Sequence, residues 1–352
     1  MKLIVYQWIL IIFTSSLSIN LYTRSIYRPS DKHVPSIAIY DSKNRMCRKI
    51  FHSHLELYPH FVLNPKKFKK YMLPTLISYA DQPSRFLTKR KIDMMIHTLI
   101  TEVNQRKKKF SYFTLLKSKN FNVSHRCGLL VLKCKNHPFV VKLFIERPET
   151  YFNPYCKGIE SIAFFFMGGG ANRHICGLSR LPNLEVLKKK LENLEQWKDI
   201  VKFPRKWFWL PKKPRFMTLK GTHFKDETST VTNKIPEIFA IIADEIPCAQ
   251  TTAIQKSQKI NTIMKLCNDL DTFLDAHYDN FIFKKSDHKP FTITIIDTEH
   301  IPTMTGLKKR QHFNNYWQWY SHLVTHCVKK MFFRTKRKRI MDQSEPNELA
   351  LT

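Results

Sequence analysis

Three oxygen-bearing side chains whose spacing suits a divalent cation lie in the last third of the sequence. Asp275 and Asn280 belong to a polar segment, and Asp297 follows an apolar, β-branched run. The apolar residues 281–283 and 291–296 predict the two short strands of a hairpin, which places an acidic residue at each end of it. Carboxylate and amide oxygens are ligands that Mg²⁺ accepts. The sequence therefore predicts a cation site at the ends of this hairpin.

A lysine far upstream interrupts a second apolar run. Residues 139–145 read FVVKLFI and follow a turn at residues 135–138, so Lys142 lies at the centre of a predicted strand. Burying an ammonium group is costly unless an anion accompanies it. The Lys142 side chain therefore either reaches solvent at a strand edge or points into a cleft that holds phosphates.

Periodicity assigns the remaining segments to helices and strands. Apolar residues at helical spacing predict helices, and β-branched or aromatic runs predict strands. The predicted helices are 84–106, 155–167, 184–200, 235–246, 259–273 and 313–333, and the further predicted strands are 121–135, 207–210 and 215–219, the last two forming a hairpin. Three consecutive glycines at 168–170 predict a break after the helix that carries Glu160. This mixture predicts an α+β fold.

The first residues have the pattern of a secretory signal. Lys2 precedes an apolar run over residues 3–13, and mostly small residues follow at 14–18. We expect residues 1–21 to be a signal peptide that directs export or secretion, with an uncleaved membrane anchor as the alternative. Eight cysteines fit export, but their pairing is left open. The sequence has no Cys-x-x-Cys pair, which argues against a structural zinc site.

The charge balance favours anionic partners. The chain has 59 Lys and Arg against 28 Asp and Glu, a formal charge of +31, and such an excess attracts nucleic acid, nucleotides or anionic lipid surfaces. The charge is spread over the whole chain, so compositional bias is the alternative explanation. Hydrophobic residues make up 43% of the chain, which is enough for a packed core and excludes a wholly disordered protein.

The order of these elements resembles the protein-kinase-like superfamily, in particular its aminoglycoside phosphotransferase and small-molecule kinase branch. A strand pair with Lys142 is followed by a helix, a strand pair, further helices, and a loop between helix and strand. That loop reads DAHYDN at 275–280, similar to the Asp-x-His-x-x-Asn catalytic loop of the branch. The IDTE sequence at 296–299 is similar to its metal-binding Ile-Asp-x-Glu. The resemblance covers about residues 110–330.

The resemblance implies a two-lobed protein-kinase-like fold behind an N-terminal signal segment and a helical extension. The implied divisions are a partly helical extension at 22–109, an N-lobe and hinge at 110–221, a C-lobe at 222–340 and a flexible tail at 341–352. The implied activity is an ATP- and Mg²⁺-dependent phosphotransferase that acts on an unidentified hydroxyl acceptor.

The resemblance also implies roles for individual residues. Asp275 orients or accepts the proton of the attacking hydroxyl, while Asn280 and Asp297 hold Mg²⁺ on the phosphates. The nucleotide would be held by four more residues, the phosphate-binding Lys142, its helix partner Glu160, and Met217 and Leu219 at a hinge over 217–221 where adenine rests. Phosphoryl transfer needs positioning and charge neutralisation, which these residue types supply.

Departures from the family pattern leave alternatives open. No glycine-rich phosphate loop precedes Lys142, since Gly128 is the only glycine between residues 110 and 142. One alternative is an exported pseudokinase that acts as a binding protein. Another is a basic protein that binds nucleic acid or a membrane surface and in which the acidic hairpin is incidental.

Overall fold

The computed structural model describes residues 36–51, 68–149, 169–222, 230–247, 256–284, 291–301, 307 and 311–332. The predicted signal segment, Glu160 with the helix predicted around it, and the predicted tail lie outside these ranges. All described residues belong to one compact unit. Among their helices, none is long and apolar enough to span a membrane.

The described residues form four helices and fifteen strands, which confirms the expected α+β class. The strands are β1 (Ser36–Tyr40), β2 (Met46–Phe51), β3 (Leu76–Ser78), β4 (Phe86–Thr88), β5 (Phe113–Lys117), β6 (Phe121–Asn122), β7 (Cys127–Cys134), β8 (Phe139–Ile145), β9 (Val201–Lys202), β10 (Lys206–Trp209), β11 (Phe216–Thr222), β12 (Thr230–Pro236), β13 (Ile238–Asp244), β14 (Phe281–Lys284) and β15 (Thr292–Ile295). The helices are α1 (Lys89–Asn104), α2 (Gly169–Glu192), α3 (Lys256–Asp269) and α4 (Tyr316–Phe332).

The main sheet places Lys142 on its central strand. Its order is β10-β13-β8-β7-β5, with β6 paired to β7. The strand predicted over 139–145 is therefore confirmed, while the run predicted over 121–135 holds β6 and β7 with a turn between them. Side chains alternate between the two faces of a strand. Val141 and Leu143 of β8 join a core cluster that contains α1, whereas Phe144 joins a cluster that contains Leu178 of α2. Lys142 therefore lies on the face that α2 covers.

The chain leaves the main sheet between β10 and β13 to build a second sheet. β11 and β12 pair with each other, and β11 also pairs with β1 in the order β12-β11-β1-β2. The predicted hairpin of 207–210 with 215–219 is therefore wrong, because β10 pairs with β13 instead. The predicted helix at 235–246 is also wrong. Its apolar, isoleucine-rich run forms parts of β12 and β13, and periodicity alone does not separate a buried strand from a buried helix.

The strand pairings run across the predicted divisions of the chain. The main sheet ends with β13 at Asp244, so the predicted boundary after residue 221 falls before the chain has returned to it. Where it is described, the region predicted as a partly helical extension at 22–109 contains one helix among several strands. It contributes β1 to β4 and α1, and α1 packs against the main sheet. Helix α1 begins at Lys89 behind an N-cap at Thr88, whose hydroxyl accepts the Lys91 amide at 3.2 Å.

Helix α2 is longer than its sequence predicts. It begins at Gly169 within the predicted glycine break and continues through Pro182 to Glu192, whereas the prediction began at residue 184. At Gly177 an added Cβ would lie 2.7 Å and 2.8 Å from ring atoms of Phe144 and Phe239. Glycine at this position therefore lets α2 lie directly on the main sheet.

The third sheet carries the hairpin with the acidic ends. β14 and β15 pair antiparallel as predicted, and β15 pairs with β9 in parallel. Helices α3 and α4 contribute to the core cluster beneath this sheet, and their ranges agree with the predictions at 259–273 and 313–333 to within about four residues. The hairpin is thus held on a packed support.

His174 on α2 predicts a loss of stability in acid. It is 1% exposed, its Nε2 donates to the Pro236 carbonyl at 2.7 Å, and burial lowers its pKa to about 4. The unfolded chain binds this proton near pH 6.5, so the stabilising contribution of neutral His174 is complete above that pH and falls as the pH approaches 4. We expect a loss of about 2–3 kcal/mol in the free energy of unfolding between about pH 7.5 and 4.5.

Urea unfolding of the wild type and of His174→Gln measures this contribution. Glutamine keeps an N–H for the Pro236 carbonyl but does not titrate. The pH dependence of the variant is therefore expected to be smaller by that amount, and an equal dependence in both proteins would contradict the assignment.

Candidate functional site

The Asp297 carboxylate is held by cationic side chains from two different elements. Its Oδ2 accepts Lys142 Nζ of β8 at 2.8 Å, and its Oδ1 accepts Arg180 Nε of α2 at 2.9 Å. Arg180 Nη2 also approaches Oδ2 at 3.5 Å. Both oxygens of Asp297 are therefore engaged by positively charged donors.

Arg180 connects Asp297 with a second carboxylate. Its side chain is 1% exposed, and its Nη2 donates to Glu299 Oε2 at 2.5 Å. The guanidinium also lies over the Phe144 ring, 5.4 Å from the ring centroid. Two buried polar atoms, Arg180 Nη1 and Glu299 Oε1, have no hydrogen-bond partner among the described residues. Arg180 Nη1 can therefore donate a hydrogen bond to a ligand, and Glu299 Oε1 can accept one.

Hydrogen bonds fasten the segment after β15 to α2 and to β10. Thr298 Oγ1 donates to the Arg180 carbonyl at 2.6 Å, and Asn183 Nδ2 donates to the Thr298 carbonyl at 3.1 Å. Lys206 at the start of β10 donates its Nζ to Thr298 Oγ1 at 2.9 Å. Lys206 is therefore the third cationic side chain, after Lys142 and Arg180, that lies beside residues 297–299.

The predicted catalytic loop lies beside this segment. Asp275 Oδ1 accepts the His277 amide at 3.1 Å, and Asp275 Oδ2 accepts Asn280 Nδ2 at 3.1 Å. The Asn280 carbonyl in turn accepts the Ile296 amide at 2.9 Å. Because Ile296 directly precedes Asp297, these bonds fix the loop against the chain that presents Asp297.

Burial and neighbouring charges perturb the carboxylates in opposite directions. Burial raises the pKa of Asp275, and the negative charges of Glu299 and Asp297 raise it further. Burial also opposes ionisation of Asp297, but the charges of Arg180, Lys142 and Lys206 outweigh it and hold its pKa well below the usual range. Asp297 is therefore the firmly ionised member, and Asp275 is the better proton acceptor.

Burial likewise disfavours the charge on two of the cations. It lowers the pKa of Lys142, although Asp297 opposes this change. It lowers the pKa of Lys206 well below the usual range, and the positive charge of Lys142 adds to that effect. An anion entering the site would favour the charged form of both lysines.

The arrangement does not fit the predicted Mg²⁺ ligands. Asp297 has both oxygens engaged by Arg180 and Lys142, and the Asn280 amide donates to Asp275. In the part of the chain that the structure describes, no group of three or more His, Cys, Asp or Glu is placed to hold a metal ion. Among the described cysteines, Cys47 and Cys134 are free thiols.

The predicted site residues divide into those that converge and those that do not. Lys142, Asp275, Asn280 and Asp297 come together around the segments described above. Met217 and Leu219 do not join them, because both are 0% exposed core residues of β11. The predicted hinge at 217–221 lies within β11 of the second sheet, before the chain returns to the main sheet through β13.

Arg180 and Lys206 were not predicted as site residues. A signal for Arg180 existed, because Leu178 and Leu181 extend the leucine spacing of the predicted helix backwards across it. Lys206 directly precedes an apolar aromatic run, whereas Lys142 interrupts one.

The site combines donors for an anion with a carboxylate beside them. Lys142, Lys206 and Arg180 can bind phosphate oxygens, and Asp275 can accept a proton. No protein-family model, curated protein or solved structure matches this chain.

Proposed function

We propose that this protein is a kinase-like phosphotransferase that transfers the terminal phosphoryl group of ATP to a hydroxyl acceptor. The observation that carries the proposal is the ion pair of Lys142 and Asp297 at 2.8 Å beside the hydrogen-bonded pair of Asp275 and Asn280. The element order also supports it, because β8, α2, β10 and β13 of the same sheet, α3 and the Asp275 loop occur in this order along the chain, with β9, β11 and β12 of the other sheets between them.

In the proposed reaction the lysines bind the phosphates and Asp275 prepares the acceptor. Lys142 binds the polyphosphate with its other N–H groups while it keeps its contact with Asp297, and Lys206 adds a second positive charge. The acceptor oxygen attacks the terminal phosphorus, the bond to the bridging oxygen breaks, ADP departs and the hydroxyl proton passes to Asp275. Fixed charges in a buried site stabilise such a transfer because they need little reorganisation.

The raised pKa of Asp275 and its fixed position suit this role. The two donors from His277 and Asn280 hold the carboxylate in one orientation. A carboxyl group whose pKa is raised towards the working pH is a more effective proton acceptor than an ordinary aspartate.

A binding protein without transfer activity is a second candidate. The observation that favours it is the ion pair of Arg180 with Asp297, because Arg180 binds the carboxylate on which the family resemblance places the metal. The two candidates predict the same nucleotide binding and differ in turnover.

The proposal is tested by nucleotide binding to the full chain. Lys142→Met is expected to weaken ATP binding by about 10- to 100-fold, because it removes a charge-assisted hydrogen bond to phosphate. Isothermal titration calorimetry measures the affinity. Lys198→Met is the matched control, because Lys198 is 42% exposed and forms an ion pair with the exposed Glu195. An absence of ATP binding to the wild type, with or without Mg²⁺, would exclude the proposed function.

A further inference from the structure

Arg180 occupies the position beside Asp297 where a cation would have to bind. Mg²⁺ requires oxygen ligands at about 2.0–2.1 Å, whereas Asp297 Oδ1 faces Arg180 Nε and Asp297 Oδ2 faces Lys142 Nζ. A guanidinium group remains charged at every working pH. The positive charge at this carboxylate is therefore permanent and built into the chain.

Arg180 is also fixed in place. Its Nη2 is bonded to Glu299, and its backbone carbonyl accepts Thr298 Oγ1. The Ser179 hydroxyl accepts the His300 amide at 3.1 Å, so α2 and the segment 297–300 are joined on both sides of the arginine. Displacing Arg180 from Asp297 would break the Glu299 ion pair as well.

A second observation points to a ligand. Arg180 Nη1 is buried and has no acceptor among the described residues. A buried N–H without an acceptor is destabilising, and a phosphate oxygen would supply one. Lys142 and Lys206 point at the same segment, so three donors can share one polyphosphate.

We propose that Arg180 replaces the divalent cation of this site, so that the protein binds a nucleoside triphosphate without metal. The polyphosphate is held by Lys142, Lys206 and Arg180 Nη1, while Arg180 Nε remains on Asp297. This proposal rests on the proposed function and defines its cofactor requirement.

The test compares ATP binding to the full-length protein in excess EDTA and in excess Mg²⁺, by isothermal titration calorimetry. The expected dissociation constants agree within about threefold. Binding that is weaker by about tenfold or more in EDTA overturns the metal-free site but leaves the proposed function standing. No binding in either condition removes the proposed function itself.

Arg180→Gln tests the residue directly. It is expected to weaken ATP binding in EDTA by about tenfold or more and to let Mg²⁺ restore part of that loss, because Asp297 regains a free oxygen. Arg85→Gln, at an exposed residue bonded to Gln82, is the control and is expected to change neither condition. Unchanged binding of Arg180→Gln in EDTA overturns the role of Arg180.

Two further outcomes of these experiments also decide whether Arg180 replaces the divalent cation. If Arg180→Gln does not fold, the wild-type comparison in EDTA and Mg²⁺ decides the question alone. If wild-type binding depends on Mg²⁺ and Glu299→Gln abolishes that dependence, Glu299 Oε1 is a metal ligand and the proposal is wrong.

Discussion

Asp275→Asn is expected to lower the rate of phosphoryl transfer by about 10²- to 10⁴-fold, the usual contribution of a positioned general base, while the affinity for ATP stays unchanged. Asparagine cannot take the hydroxyl proton. Its amide group would also face one of the two donors that now converge on the carboxylate, from His277 and Asn280. The substitution is therefore expected to slow the phosphoryl transfer itself and not the binding of ATP.

The measurement is the rate of ADP formation from saturating ATP, with water as the acceptor hydroxyl. Asp279→Asn is a close control, because Asp279 lies in the same loop but its side chain is 72% exposed. It is expected to retain full activity. A wild type that binds ATP and forms no ADP would support the binding-protein alternative, and equal rates for Asp275→Asn and the wild type would remove Asp275 from the mechanism.

Arg180→Met is expected to lower the free energy of unfolding by about 3–5 kcal/mol, as removal of one partner from a buried ion pair usually does. Glu299 would be left without its cation, and Asp297 would retain only Lys142. Because domains are stable by about 5–15 kcal/mol in total, this single change would remove a large part of the stability.

Urea unfolding with a double-mutant cycle checks the cause. Arg180→Met combined with Glu299→Gln is expected to cost less than the sum of the two single changes, because the second change removes the unpaired charge. Lys198→Met in the exposed pair with Glu195 is expected to cost about 0–1 kcal/mol. Strict additivity at Arg180 and Glu299 would show that the ion pair is not the origin of the loss.

Local sequence patterns predicted the elements that present the candidate site. β8 and the β14–β15 hairpin follow from apolar alternation and flanking turns, and the family resemblance related Lys142 to Asp297 although 155 residues separate them. Neither the local patterns nor the family resemblance predicted that Arg180 belongs to the site. It depends on a helix that continues through Pro182 and on its packing against Phe144, and no local pattern specifies that packing.

The misassigned segments share a physical cause. β13 is apolar on both faces because Phe239 and Ile241 enter one core cluster while Ala240 and Ile242 enter the other, so its sequence lacks the alternation that identifies a half-buried strand. β11 was recognised as a strand but given the wrong partner. Its partner β1 comes from the start of the described chain, and strand pairing over that distance is set by the whole fold and not by a turn.

The pairing of β1 with β11 also affects the order in which the protein can fold during synthesis. Ile37 of β1 lies opposite Gly221 of β11, so the first strand leaves the ribosome roughly 10–40 s before its partner, at about 5–20 residues per second. During that interval the β1–β2 hairpin has an open edge that can pair with other chains. Newly made chains that stop before residue 216 would keep this edge open to other chains.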